Sequence, residues 1–361
     1  MDSTGQPASP ATPAQPADPQ TASPTVIVQT GRAGLLFRIF AWLGWSSCFV
    51  LLVILIGQAL TMSEYFDTTG GIMEKFHSGE PFAATKVAII NGSGVIMQGD
   101  GYVKQQIDRV RDDKNVKAVV LRVDSPGGTV TGSDYIFHHL TKLREDKEIP
   151  VVVSMGSIAT SGGYYVSMAV GHEKQTIYAE PTTTTGSIGV IIPHYDISGL
   201  LEEFNVKDDS IATHPRKQML SMTRPISEDH RRLLEGYVDE SFSRFKDIVK
   251  LGRANFDADP EALDQLATGE IFTANQAKRF GLVDEIGFIE AAIDRATELA
   301  QLDSKKVRVV EYEQPPSLFN VPSLMQSRAS EIETLLDMST PRAYYITTTL
   351  PPIVTSWLRR P

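Results

Sequence analysis

The chain's clearest hydrophobic feature lies near its start. From Ile39 to Leu60, 22 consecutive residues carry no formal charge, and in a helix they would reach roughly 33 Å, enough to cross a hydrocarbon core. The pattern predicts one transmembrane helix over 35–60. A cleaved leader would have a shorter apolar region followed by a small-x-small site. Arg32 and Arg38 precede the segment, and Glu64 and Asp67 follow it. The positive-inside bias therefore puts the N-terminus in the cytoplasm and everything after Leu60 on the extracytoplasmic, periplasmic side.

Further along, short β-branched runs alternate with helical patterns. Strands are expected at Lys86–Ile90, Ala118–Val123, Pro150–Met155, Thr176–Ala179 and Ser187–Ile192, with a helix over Gly132–Arg144 between them. Such alternation predicts an α/β domain of parallel strands and crossover helices. Leu233, Leu234, Tyr237, Val238, Phe242, Phe245, Ile248 and Val249 recur at helical spacing and predict one long amphipathic helix over Ser227–Lys250. Asp259 before Pro260 reads as a helix N-cap, Thr273 with Gln276 as a capping box, and Gly281 as a helix stop.

The resulting layout has a Pro/Ala-rich cytoplasmic tail (1–31) too polar to bury a core, the membrane helix, a linker (61–84), a catalytic domain (85–312) and a C-terminal extension (313–361). The extension carries an apolar stretch, Tyr344 to Trp357, too short and too broken by proline to span a membrane.

Composition narrows the chemistry. A net charge of −10 and a pI near 5.3, with no basic stretch, argue against a nucleic-acid partner. The only cysteine, Cys48, lies inside the apolar run, so a disulfide framework, a thiolate zinc site and a thiol nucleophile are all set aside.

Three glycine-rich turns fall where strands should end: Ser125-Pro126-Gly127-Gly128, Ala159-Thr160-Ser161-Gly162-Gly163 and Thr185-Gly186-Ser187-Ile188-Gly189. A hydroxyl at a strand-to-helix turn flanked by glycines can be presented to a substrate beside helix N-terminal amides. Ser161 is therefore the nucleophile candidate, and the amides of Gly128 and Gly162 suit an oxyanion. A serine needs a base. Of the seven histidines only His194, just after the third turn, is a candidate. The other option is a lysine whose pKa burial lowers by about three units, at a cost of about 4 kcal/mol. The residues themselves leave that choice open.

These motifs together resemble the bacterial signal peptide peptidase A family, also called protease IV, in its short single-module form. The matching stretches are LRVDSPGG (Leu121–Gly128), GSIATSGGYYVS (Gly156–Ser167), TTTTGSIGVI (Thr182–Ile191) and GEIFTANQAKRFGLVDEIG (Gly269–Gly287). The resemblance spans about 85–312. It implies a ClpP/crotonase-like spiral of repeated ββα units, Ser161 as nucleophile, Lys217 as general base, Ser187 orienting the lysine amine, and Gly128 as main-chain oxyanion donor. It also implies a homo-oligomer whose active sites are shared between protomers, remnant signal peptides or other membrane-associated polypeptides as substrates, and no metal or organic cofactor. The chain departs from the family around the base, where it reads Thr213-His214-Pro215-Arg216-Lys217.

The expected function is thus a membrane-anchored serine endopeptidase with a Ser-Lys dyad. A catalytically silent oligomeric scaffold of the same fold is the alternative. Crotonase-type acyl-CoA chemistry conflicts with an extracytoplasmic domain. The apolar Tyr344–Trp357 stretch is expected to dock near the substrate groove as an internal competitor.

Overall fold

The computed structural model describes residues 32–66, 71–314 and 343–346. The N-terminal tail and most of the C-terminal extension lie outside the described residues. The chain divides into two units, Met1–Ser63 and Glu64–Pro361. The first contains all but the last three residues of a helix, Arg32–Phe66, longer than the apolar pattern alone required. Its stretch Phe37–Ala59 is long and apolar enough to cross a membrane by length and composition.

The second unit is mixed α/β. Its main sheet runs in the order β1 (Met73–Gly79), β10 (Val307–Glu313), β2 (Thr85–Ser93), β3 (Val116–Ser125), β5 (Val151–Thr160), β6 (Ile177–Ala179) and β9 (Glu285–Ile286). From β10 to β9 every neighbour is parallel. Along this path the edge strand β1 runs the other way. The upper part of β5 leaves this path and pairs with β7 (Thr184–Gly186), which pairs in turn with β8 (Ile271–Thr273). A separate two-stranded ribbon joins β4 (Gly127–Thr129) to β11 (Tyr344–Ile346).

The central strands read as continuous apolar runs because both faces of the sheet are covered. Val87 and Ile89 of β2 pack with Ala118, Val120, Ala292 and Ala296 beneath the Ile289–Leu299 helix. Their neighbours Ala88 and Ile90 point the other way, into a larger core with Val119, Leu121, Leu140 and Phe245. The helices covering that second face include Tyr102–Asp112, Val130–Lys147 and the 25-residue Glu228–Gly252. The helix expected over Gly132–Arg144 begins earlier because Thr129 caps it, accepting a hydrogen bond from the Gly132 amide. Ser227 caps the long helix in the same way through the His230 amide. Asp259 and the Thr273/Gln276 capping box start their helices as read from sequence.

Two differences from the sequence reading matter. Residues expected to be linker contribute β1, which zips onto β10 with Lys75 bridging Glu311 and Glu313. The strand expected over Ser187–Ile192 instead ends at Gly186. Ser187 has a φ of 51°, a left-handed conformation that turns the chain out of the sheet.

Candidate active site

The glycine turns gather at the carboxyl ends of β3 and β5, where ligands bind in parallel α/β sheets. β5 ends at Thr160, and the next residue, Ser161, starts the short Gly162–Ser167 helix. Ser161 is 1% exposed and has φ 53° and ψ −115°. A non-glycine residue in that region costs about 1–3 kcal/mol, which the surroundings must hold in place. The holding bonds are explicit. The Ser161 amide donates to the Gly186 carbonyl at 2.8 Å, and the Ser161 carbonyl accepts from the Tyr165 amide at 2.8 Å. The first bond also sets Ser187, the residue after Gly186, beside the turn. Ser187 is 8% exposed, and its own amide donates to Glu270.

The first and second glycine turns press together so closely that side chains are excluded. A β-carbon on Gly162 would lie 3.1 Å from both the Gly127 Cα and the Gly128 nitrogen and would collide with the Ser133 hydroxyl. One on Gly127, whose φ is 99°, would lie 2.7 Å from the Gly162 nitrogen and would collide with the Tyr345 carbonyl oxygen. The Gly128 and Gly162 backbones therefore converge next to Ser161, and the Tyr345 carbonyl reaches the same spot.

That carbonyl arrives on β11, a strand no local pattern announces. β11 lies between β4 and Ile191. Tyr344 exchanges both backbone hydrogen bonds with Ile191, at 2.9 and 3.0 Å, while Val130 donates to Ala343 on the opposite side. Alternation along an extended strand then turns the Tyr345 carbonyl toward β4, where Tyr345 stands opposite Gly128. The expectation that the Tyr344–Trp357 stretch docks near the groove can be followed only for Tyr344–Ile346, and these three residues lie in the cleft.

The Tyr345 ring is fully buried. It stacks on Tyr165 (centroids 5.1 Å apart, 24° between planes), meets Phe245 at 4.6 Å, and donates its hydroxyl to the Ser241 carbonyl at 2.7 Å. Tyr165 is itself anchored, its hydroxyl on Asp134 at 2.5 Å and Asp134 held by Arg244 at 2.9 Å. Burial, then the bond to Asp134 and its charge, push the Tyr165 phenol far above its usual range, so it stays a hydrogen-bond donor.

Lys217 is not gathered with these groups. It lies in a short helical turn, Pro215–Gln218, on an exposed surface segment. Among the described residues its Nζ makes no hydrogen bond or ion pair. The segment is tied to its own neighbourhood instead, with Arg216 on Asp229 and Arg224 on Asp208. His194, the alternative base, points to the Ser221 carbonyl at 3.1 Å, in that same neighbourhood.

The sequence pattern of peptidase family S49 matches residues 143–303. A putative protease of Synechocystis is 35% identical over 252 residues, which cover 70% of this chain and 87% of that protein. The chain belongs to peptidase family S49. Protease 4 of Salmonella typhi is 34% identical over 69% of this chain, and a putative signal peptide peptidase SppA of Enterococcus faecium 37% identical over 57%. Of these two relatives the chain spans only 40% and 57% of the length, respectively. The S49 match includes Ser161, Ser187 and Lys217, whereas Gly128 and Tyr345 lie outside it. Tyr165, Ser241 and Phe245 of this S49 chain were not singled out from sequence as site residues. The Tyr164-Tyr165 pair following Ser161-Gly162-Gly163 was the available signal.

Proposed function

We propose that this S49 chain is a membrane-anchored serine endopeptidase acting on extended polypeptides, remnant signal peptides among them. Ser161 Oγ attacks the peptide carbonyl and its proton passes to Lys217. The developing oxyanion lies against the Gly128 and Gly162 amides. Collapse expels the amine, which takes the proton from Lys217, and water then hydrolyses the Ser161 ester by the same base. Ser187 orients the lysine amine.

The observation that carries this reading is the convergence of the Gly128 and Gly162 backbones beside a strained, buried Ser161. Because Lys217 stands on an exposed segment with no partner of its own among the described residues, a neighbouring copy supplies it, in a homo-oligomer with shared sites. The curling of β5 away from the main sheet into β7 and β8 fits the ClpP/crotonase-like spiral. The apolar Phe37–Ala59 stretch fits a single-pass anchor in the cytoplasmic membrane with the second unit outside.

The test is labelling of the detergent-solubilised chain by a fluorophosphonate, together with peptide hydrolysis. Wild type should label and hydrolyse, and Ser161→Ala should do neither. A second reading, a silent scaffold, draws on β11 filling the cleft. It predicts no labelling of wild type, and labelling at Ser161 would end it.

A further inference from the structure

The segment that carries Lys217 has no core of its own. No residue in 191–240, all of them described, is buried, so apolar packing within the chain does little to set where the lysine stands. Polar side chains do it instead. Lys217 lies third in the turn Pro215–Gln218, and that turn is fastened at both ends. At the far end Arg224 donates to Gln218 Oε1 at 2.8 Å through one Nη and to Asp208 at 2.7 Å through the other. At the start stands His214, in extended conformation, within the stretch where the chain departs from the family pattern. Its Nδ1 accepts from the Arg216 amide at 3.1 Å, and its carbonyl accepts from the Lys217 amide at 3.0 Å. Pro215 follows, with no amide to satisfy and a φ already suited to the turn.

Histidine differs in one respect from the common capping residues. Asn, Ser and Thr accept an amide hydrogen at any pH, whereas an imidazole accepts only while neutral. Once protonated, both of its ring nitrogens are donors. The cap on the lysine turn is therefore present in neutral solution and lost in acid. The charged groups around the turn are Arg216 and Lys217 on it, Asp229 and Arg232 from the long helix, and Asp208 with Arg224 from the flanking loops. Carboxylates and guanidinium groups keep their charge from about pH 8 to about pH 5. Two other imidazoles lie in the neighbourhood, His194 on the Ser221 carbonyl and His230 next to Asp229 in the chain, so pH alone does not single out His214. Comparison of His214 variants does.

We infer that His214 is a positioning residue for Lys217: its neutral imidazole caps the turn that presents the base, and its protonation loosens that turn and slows turnover in mild acid. The inference rests on the peptidase reading above, in which Lys217 takes the Ser161 proton, and His214 acts only through Lys217. Because Arg224 still holds the other end, loss of the cap loosens the turn without unfolding it. The cost is several-fold in rate, not the whole activity. An extracytoplasmic domain, as proposed above, meets external pH directly.

The experiment measures kcat and KM of the full chain in detergent on one quenched peptide, for wild type, His214→Asn and His214→Ala, from about pH 8 to about pH 5, the range in which imidazoles titrate. Ratios between these chains cancel the limb that the base and the other imidazoles contribute. At the alkaline end His214→Asn, which keeps a capping acceptor, should match wild type, and His214→Ala should have a kcat about 2–30-fold lower, the effect of a lost N-cap. At the acid end wild type should have fallen to the rate of His214→Ala, leaving His214→Asn about 2–30-fold ahead of both. KM and melting temperature should hardly differ among the three. Ratios that stay flat with pH, or a His214→Asn chain as slow as His214→Ala throughout, would overturn the assignment. Lys217→Ala separates this from the reading beneath it. If that variant is silent while the His214 ratios are flat, only the role of His214 is lost. If it hydrolyses like wild type, or if wild type cuts no peptide, the Ser-Lys reading fails and His214 has no base to position.

Discussion

Tyr345 faces Gly128 across an antiparallel pair and brings its carbonyl oxygen to the place where the Gly128 and Gly162 backbones meet. An extended substrate adding itself to the edge of β4 would make the same bonds, so β11 and substrate compete for one site. Tyr345→Ala removes the side chain that holds β11 down. Turnover of a short peptide by the full chain at low substrate should then rise about 3–30-fold, because an intramolecular competitor acts at an effective concentration near millimolar. Unchanged or lower kcat/KM, with an unaltered melting temperature, would show that β11 does not compete.

If a neighbouring copy supplies Lys217, two inactive variants should repair one another. Ser161→Ala and Lys217→Ala each abolish hydrolysis alone. In oligomers assembled at random from an equal mixture, roughly one site in four pairs an intact serine with an intact lysine. Co-expression and co-purification should therefore recover about that fraction of wild-type activity. A mixture as silent as its parents would place both groups in one chain.

Much of this arrangement was legible before any coordinates. The membrane-length helix, the parallel-rich sheet and the helix caps at Asp259 and Thr273 follow from local rules, because each depends on residues within one or two turns. The strand-to-helix turn at Ser161 was legible for the same reason, since a glycine-flanked serine between an apolar strand and a helical run has few other conformations. What was missed depends on distant pairing. β1 is mostly polar and is a strand only because β10 offers an edge. β11 is separated from β4 by over 200 residues, and nothing in Tyr344-Tyr345-Ile346 names its partner. Ser187 misled because its residue type favours no turn as strongly as glycine does, and its left-handed backbone goes with an amide bond to the sequence-distant Glu270 carbonyl.

Gly162 tests the oxyanion assignment without touching a charged group. An added methyl would press on the Ser133 hydroxyl and on the Gly127–Gly128 backbone, moving one or both amides away from the carbonyl they are to hold. Gly162→Ala should lower kcat about 10²–10³-fold, as loss of one oxyanion donor does, with a smaller change in KM. A variant that folds with near-normal kcat would remove Gly162 from the site.

The far end of the sheet offers a pH test separate from catalysis. Lys86, 8% exposed, bridges Glu74 at 2.6 Å and Asp113 at 2.8 Å, and the Asn115 amide also donates to Asp113. Burial alone would raise the Asp113 pKa. The Lys86 bond, the Asn115 bond and the charges of Lys86 and Lys147 outweigh burial and hold it below the usual carboxylate value. Lys86 is shifted upward: burial opposes this, but the bonds to Asp113 and Glu74 prevail. A carboxyl whose folded pKa lies below its unfolded one adds stability that is fully present above the unfolded pKa, and it loses that contribution as pH falls through the folded value. At pH 7, Asp113→Asn should therefore destabilise the full chain by about 1.5–3 kcal/mol, the range for a hydrogen bond to a charged group. Thermal melts of wild type and variant should converge as pH falls below about 4, because the wild-type carboxyl is then becoming neutral too. A gap that stayed constant over that range would mean the ion pair is not what Asp113 contributes.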